Sequence, residues 1–240
     1  MLDFCAEHGI ACDIETIAPD QPFEARLLVL VDGRQVYLDH YGMTDWNLLG
    51  VQLEEIQQIE LVRGPANALF GFNAASGVVN IITRRVGQTP TVTATAELGN
   101  HDISRLAGSV TLPVTPAIGI RLAGVRARED ERRIPATLLR PAMVSDVASD
   151  QVSGDITGSF DGLETVLGGG HSTNRQAEYL PSQLLSNQRY RSDNVHASAT
   201  RDTGWGGVTL GGYVNWLDVQ YGVGATADAT EPLGFKNRII

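Results

Sequence analysis

Hydrophobic and polar positions change rhythm along this chain. Residues 27–31 form an unbroken apolar run, Leu27-Leu28-Val29-Leu30-Val31. It ends at Asp32-Gly33, a tight-turn pair after which Gln35-Val36-Tyr37 can return as a partner strand. Over residues 48–59 apolar side chains fall at Leu49, Leu53 and Ile56 with Glu54-Glu55 on the other side, which predicts a short helix. Ile59-Glu60-Leu61-Val62 alternates as a strand and stops at Arg63-Gly64-Pro65. Pro65 suits the first turn of a second helix through Leu69, because proline lacks the N–H that would go unpaired there, and Gly71 ends it. Gly77-Val78-Val79-Asn80-Ile81-Ile82-Thr83 reads as a β-branched strand entered through glycine.

Beyond residue 90 the period becomes two. Thr91-Val92-Thr93-Ala94-Thr95-Ala96-Glu97-Leu98 alternates strictly, and Gly99 to Asp102 is a turn. Residues 105–112 follow, with Leu106, Val110 and Leu112 on one face, until Pro113 to Pro116 break the pattern. Alternation resumes over residues 118–127, 151–160, 163–170, 195–201 and 208–217, and Asp161-Gly162 makes a two-residue hairpin turn. Long polar stretches over residues 129–150 and 172–194 read as loops. The connections therefore run short, short, long, short, long, short, which with one short outer loop allowed is the rule of transmembrane β-barrels, with about seven strands. Ser153, Asp155 and Thr157 would then face the lumen and Val152, Ile156 and Phe160 the lipid.

Composition narrows this. Hydrophobic residues are 42%, which excludes a disordered tail. Charged residues are 19%, aromatic residues 6%, and glycine numbers 26 of 240, values low and high respectively for a soluble enzyme. A net charge of −10 argues against a nucleic-acid binder. No apolar run reaches the roughly 18 residues of a transmembrane helix, but barrel strands hide their hydrophobicity by alternation. The N-terminus has neither the basic start nor the apolar core of a signal peptide.

The ordered set Asp32-Gly33, Ile59-Glu60, Arg63-Gly64-Pro65, Leu69-Phe70-Gly71, Ala75-Ser76-Gly77 and Val79-Asn80-Ile81-Ile82-Thr83 resembles the second half of the plug domain of TonB-dependent outer-membrane receptors. The resemblance covers roughly 60 residues, counted on the sequence itself. It implies an α+β plug portion followed by antiparallel transmembrane β-barrel strands of an incomplete, mainly β barrel. Residues 1–25 read as a foreign or irregular segment, 26–88 as the second half of a plug and 89–240 as the first part of a barrel. It also implies active uptake of a scarce nutrient (siderophore, cobalamin or glycan) across the bacterial outer membrane. The partners implied are the TonB energy-transducing complex, outer-membrane lipid and a small nutrient ligand. The chain is expected to be a receptor fragment, inactive alone, with the location of its own product left open.

The plug motif residues are Asp32, Gly33, Glu60, Arg63, Gly64, Pro65, Gly71, Gly77 and Asn80. The resemblance implies that Glu60 and Arg63 latch the plug to the barrel, Arg63 through a carboxylate on the barrel wall, and their mutual pairing on the plug surface is the alternative. Tyr37, His40, Tyr41 and Trp46 form an aromatic-rich segment after the turn, implied as ligand-binding, with ordinary plug packing or lumen contact as the alternative. No catalytic residue, metal site or cofactor is expected. His8, His40, His101, His171 and His196 are scattered without metal-ligand spacing, no GxSxG elbow occurs, and Gly64 to Gly71 lacks the lysine of a phosphate loop. Cys5 and Cys12 fit no metal set. Residues 2–15 resemble a C-terminal stretch of zinc-dependent medium-chain alcohol dehydrogenases without that family's zinc or dinucleotide motifs. The competing functions are a soluble β-rich binding protein and, last, a remnant oxidoreductase.

Overall fold

The computed structural model describes residues 27–36, 44, 46–71, 73–100, 102–130, 147–179, 185–222 and 233–239. Two sheets follow one another along the chain. The first is mixed and four-stranded: β1 (Leu27–Val31), β2 (Arg34–Gln35), β3 (Ile56–Arg63) and β4 (Gly77–Thr83), in the order β2-β1-β4-β3. β1 and β4 are its parallel, central pair, with Leu28 opposite Val78 and Leu30 opposite Asn80. That explains why both are nearly continuous apolar runs, since central strands are covered on both faces. Val29, Val31 and Ile81 pack on one side, and Leu28, Leu30, Ala66, Ala74 and Val78 on the other.

Asp32 and Gly33 both take positive φ, +50° and +78°, as a tight hairpin turn requires. The one-turn helix α1 (Asn67–Phe70) lies between β3 and β4 and ends at Gly71, whose N–H donates to the Asn67 carbonyl at 2.9 Å. The helix expected over residues 48–59 is corrected. Only a 3-10 turn at Leu53–Glu55 forms, and the chain is already a strand at Ile56. Pairing with β4 outweighs the helical periodicity.

The second sheet is an antiparallel meander of eight strands, each bonded only to its sequence neighbours. They are β5 (Thr91–Leu98), β6 (Ser104–Thr115), β7 (Ile118–Glu129), β8 (Val147–Phe160), β9 (Leu163–Tyr179), β10 (Leu185–Thr203), β11 (Gly206–Gly222) and β12 (Leu233–Ile239). Three corrections follow. The sheet has an eighth strand, β12, where none was expected. Most of the expected loop over residues 172–194 is strand, because β9 and β10 run on as a paired ladder to Tyr179 and Leu185. Pro113 lies inside β6, at a register irregularity beside Thr115. Among the described residues β5 and β12 are unpaired edges, so the sheet is a section of wall and not a closed barrel.

Alternation decides the two faces. Val152, Ile156 and Phe160 are about half exposed, while Asp155 between them is buried. The same exposed face carries Leu106, Leu122, Leu167, Val195 and Leu210. The first sheet covers the opposite face.

Candidate functional site

The functional geometry lies where the small sheet meets the concave face of the wall. The 3-10 turn Leu53–Glu55 presents two adjacent carboxylates. The turn closes on itself: the Glu55 N–H donates to the Gln52 carbonyl at 2.9 Å, and the Gln52 N–H donates to Glu55 Oε2 at 2.8 Å. It is also pinned to the end of β4, since the Arg84 N–H donates to the Glu55 carbonyl at 2.7 Å.

Glu54 receives a two-armed hydrogen bond from Arg105 of β6, both arms at 2.8 Å, and Arg105 also donates to Glu97 of β5 at 3.1 Å. A planar guanidinium matched to a carboxylate fixes orientation as well as charge. Glu55, only 2% exposed, accepts from the Ser153 hydroxyl at 2.9 Å and sits 3.7 Å from the Arg121 guanidinium. Arg121 also pairs with Asp155, and Asp155 in turn meets His196 at 3.1 Å. Four ionisable groups from β7, β8, β10 and the turn thus form one chain, three of them buried and His196 half-buried. A Cβ at position 168 would collide with Asp155 and His196, so glycine there makes the room. Gln52 is hydrogen-bonded to Gln151 beside this chain.

The two carboxylates differ in their acid–base character. Burial pushes the Glu55 carboxyl above the usual glutamate value, and the Gln52 amide, the Arg121 charge and the Ser153 hydroxyl offset this only in part. Burial acts the same way on Glu54, but the hydrogen bonds and charge of Arg105 outweigh it and hold that carboxyl below the usual value.

A second contact is apolar. The 3-10 turn Trp46–Leu48 seats Leu48 among Tyr190 of β10 and Leu217 and Val219 of β11, all buried. Nearby Arg34 donates to Asn215 at 3.0 Å, and Asn215 donates to the Gln35 carbonyl at 3.2 Å. Between the two contacts a cavity of about 1120 Å³ runs along the wall, bordered by Arg34, Glu55, Arg121, Asp155, His196 and Tyr213.

The motif residues fall elsewhere on the small sheet. Asp32 accepts from the Thr83 N–H at 2.8 Å and from its hydroxyl at 2.7 Å, tying the first hairpin to the last strand. Asn80 accepts from the Gly33 N–H at 3.3 Å and donates to Glu60 at 3.0 Å, so Gly33, Asn80 and Glu60 form one row across the sheet. Glu60 is exposed and also accepts from Gln58 at 3.0 Å. Its hydrogen bonds with Asn80 and Gln58 stay within its own sheet; Arg63, at the end of β3, is exposed as well. Ion pairs from Glu54, Glu55 and Arg85 do reach the wall, and the spacing of the two glutamates reads in the sequence only as the polar side of a helix.

Gly64 (φ +85°) and Gly71 (φ +87°) turn the chain on either side of Pro65 and α1. At Gly77 a Cβ would stand 2.6 Å from the Val62 carbonyl oxygen, so the close approach of β3 and β4 there requires glycine. Trp46 begins the turn that carries Leu48 and is 38% exposed. Tyr37, His40 and Tyr41, like residues 1–26, lie outside the described residues.

Comparison with known proteins fits this arrangement. The family described as TonB-dependent Receptor Plug Domain matches residues 17–78. The ferric enterobactin receptor PirA of Pseudomonas aeruginosa is 33% identical over 136 residues, which is 49% of this chain and 17% of that receptor. The vitamin B12 transporter BtuB of Vibrio cholerae is 38% identical over 81 residues, 34% of this chain and 13% of the transporter. Among solved structures, the ferric yersiniabactin uptake receptor FyuA of Yersinia pestis aligns with a TM-score of 0.63 at 18% identity, over 83% of this chain and 33% of that one. The siderophore receptor PirA of Acinetobacter baumannii aligns with a TM-score of 0.59 at 20% identity, over 89% and 36%. These likenesses show the fold, and the chain spans about a third of each solved receptor.

Proposed function

Since the chain joins a TonB-dependent receptor plug domain to wall strands of the same receptors' fold, we propose that it serves in active uptake of a scarce, bulky nutrient across the bacterial outer membrane. Its role is transport and not catalysis. Residues 26–88 act as plug and residues 89–240 as wall, within a barrel completed by further strands. An open sheet edge leaves N–H and C=O groups unpaired in hydrocarbon, so the wall works only when closed. The nutrient is an iron chelate or cobalamin, the two cargo classes named for the relatives, with glycans as a further class. It is bound on the outward side of the plug, where the segment from Tyr37 to Trp46 is the candidate contact. The TonB complex supplies the energy. Glu60 and Arg63 remain candidates for a latch to wall strands beyond these eight.

One observation carries this reading. The small sheet is held to the concave face by Glu54, Glu55 and Leu48, while the opposite face of the same wall is an apolar band. A soluble binding protein has no use for that outer face.

The test is uptake of labelled ferric enterobactin and labelled cobalamin by cells that lack their own receptors. The cells carry this chain completed by the remaining strands of the ferric enterobactin receptor. Accumulation of either ligand that stops in a TonB-deficient strain supports the proposal. Accumulation of neither, with the product present in the outer membrane, opposes it.

A further inference from the structure

The outward face of the wall carries a second pattern, one the plug contacts do not use. Above the short turns, outward positions are uncharged from Ile118 to Gly124 on β7, from Phe160 to Val152 on β8 and from Leu163 to Gly169 on β9. They are uncharged again from Ala199 to Val195 on β10 and from Val208 to Trp216 on β11. The next outward position is ionisable on all five strands: Arg126, Asp150, His171, Asp193 and Asp218. With ~3.4 Å per residue and a tilt of about 40°, the uncharged stretch of β8 stands roughly 20 Å tall, close to the apolar band of an outer-membrane barrel. Phe160 and the 83%-exposed Trp205 mark its lower edge and Trp216 its upper one.

Arginine dominates the belt above the band. Arg126, Arg128, Arg175, Arg189 and Arg191 occupy outward strand positions there, against three aspartates, Asp150, Asp193 and Asp218. This is a local excess of positive charge in a chain whose net charge is −10. Asp150 is shared by Arg128 at 2.7 Å and Arg126 at 3.6 Å, and Asp193 by His171 at 2.6 Å and Arg191 at 3.3 Å. Among the described residues Arg175 and Arg189 make no ion pair, and the register sets them directly opposite each other on β9 and β10. Two like charges held side by side repel unless an anion lies between them. A guanidinium pair presents forked donors that match a phosphate.

We propose that this belt binds the phosphate of a phosphorylated lipid headgroup in the leaflet at the long-loop end of the wall, with Arg175 and Arg189 as its centre. The inference rests on the reading of the sheet as membrane wall. The aspartates hold the flanking arginines upright, and the lipid chains lie along the uncharged band below.

The test uses the full chain in dodecylmaltoside micelles, titrated with phosphatidic acid, phosphatidylcholine and inorganic phosphate and read by native mass spectrometry. Phosphatidic acid is expected to bind roughly tenfold more tightly than phosphatidylcholine, given the net excess of cations at the headgroup level. The variant R175Q/R189Q loses that preference, and D150N/D193N, which adds net positive charge, strengthens it. Equal uptake of the two lipids by a chain folded in micelles, or a preference unchanged in both variants, overturns the belt alone. Displacement of phosphatidic acid by equimolar inorganic phosphate overturns the lipid assignment. A chain that is monodisperse and β-rich without detergent overturns the wall reading, and the belt with it.

Discussion

Glu55 and Leu48 stand on the same plug segment and face the same wall, yet they hold it by opposite means. Glu55 is a buried charge that depends on Arg121, Ser153 and the Gln52 amide together. Leu48 depends on the shape of a socket made by Tyr190, Leu217 and Val219. A buried ion pair adds little net energy compared with apolar packing, but removing one of its partners strands the other in a dry site. The ionic contact therefore specifies where the plug sits, and the apolar contact supplies adhesion that neither salt nor acid disturbs.

The largest expected effect comes from breaking the ionic side. Glu55→Ala leaves Arg121 with Asp155 alone and takes the acceptor from the Ser153 hydroxyl and the Gln52 N–H, and should weaken plug docking by about 3–5 kcal/mol. Faster hydrogen exchange across β1 and β4, with the wall strands unchanged, is the readout. Leu48→Ala empties the socket and should cost about 2–4 kcal/mol by the same measurement. Its cost should be the same at low and high salt, and a strong salt dependence would erase the contrast drawn above.

Glu54→Gln is expected to cost about 1.5–3 kcal/mol at neutral pH, through loss of the charged bonds to Arg105. It should also change the pH profile. The Glu54 carboxyl is held below its usual value, so its contribution is complete above about pH 4.3 and is lost as pH falls through the lower folded-state value. Glu55 has the opposite sign. Its value is raised, so its contribution is complete below about pH 4.3 and is lost as pH rises through the folded-state value. Denaturation followed from neutral to acid pH should show the Glu54→Gln protein losing less stability than the parent on the acid side. The smallest effect belongs to the exposed Arg85–Glu164 pair, at 3.0 Å, where Arg85→Ala should change stability by about 0–1 kcal/mol in the same melts.

Much of the wall was legible in the sequence because one face is apolar and the other polar. Strands β5, β7 and β8 show this alternation plainly, and β4 announces itself by its β-branched residues. The outer halves of β9 and β10 were not legible. Residues such as Asn174, Gln176, Gln188 and Arg189 are polar on both faces there, so no period of two in hydrophobicity survives. The site was read only in part. Asp32, Gly33, Asn80 and Glu60 do come together, as a row within the small sheet. Glu54 and Glu55 read only as the polar side of a helix because their partners, Arg105 and Arg121, lie far along the chain. A signal existed: an arginine at a lumen-facing position of an otherwise small-residue strand asks for a carboxylate from something inside.

The meander has a consequence in time. Each wall strand bonds only to its neighbours in sequence, so the wall can extend one hairpin after another with short loop closures. The plug contacts span ever longer stretches of chain: 51 residues for Glu54–Arg105, 98 for Glu55–Ser153 and 181 for Arg34–Asn215. Longer loops cost more entropy to close, so the plug should be captured first at β6, next at β8 and last at β11. The order in which the ribosome releases these strands is also the order in which the clamp shuts.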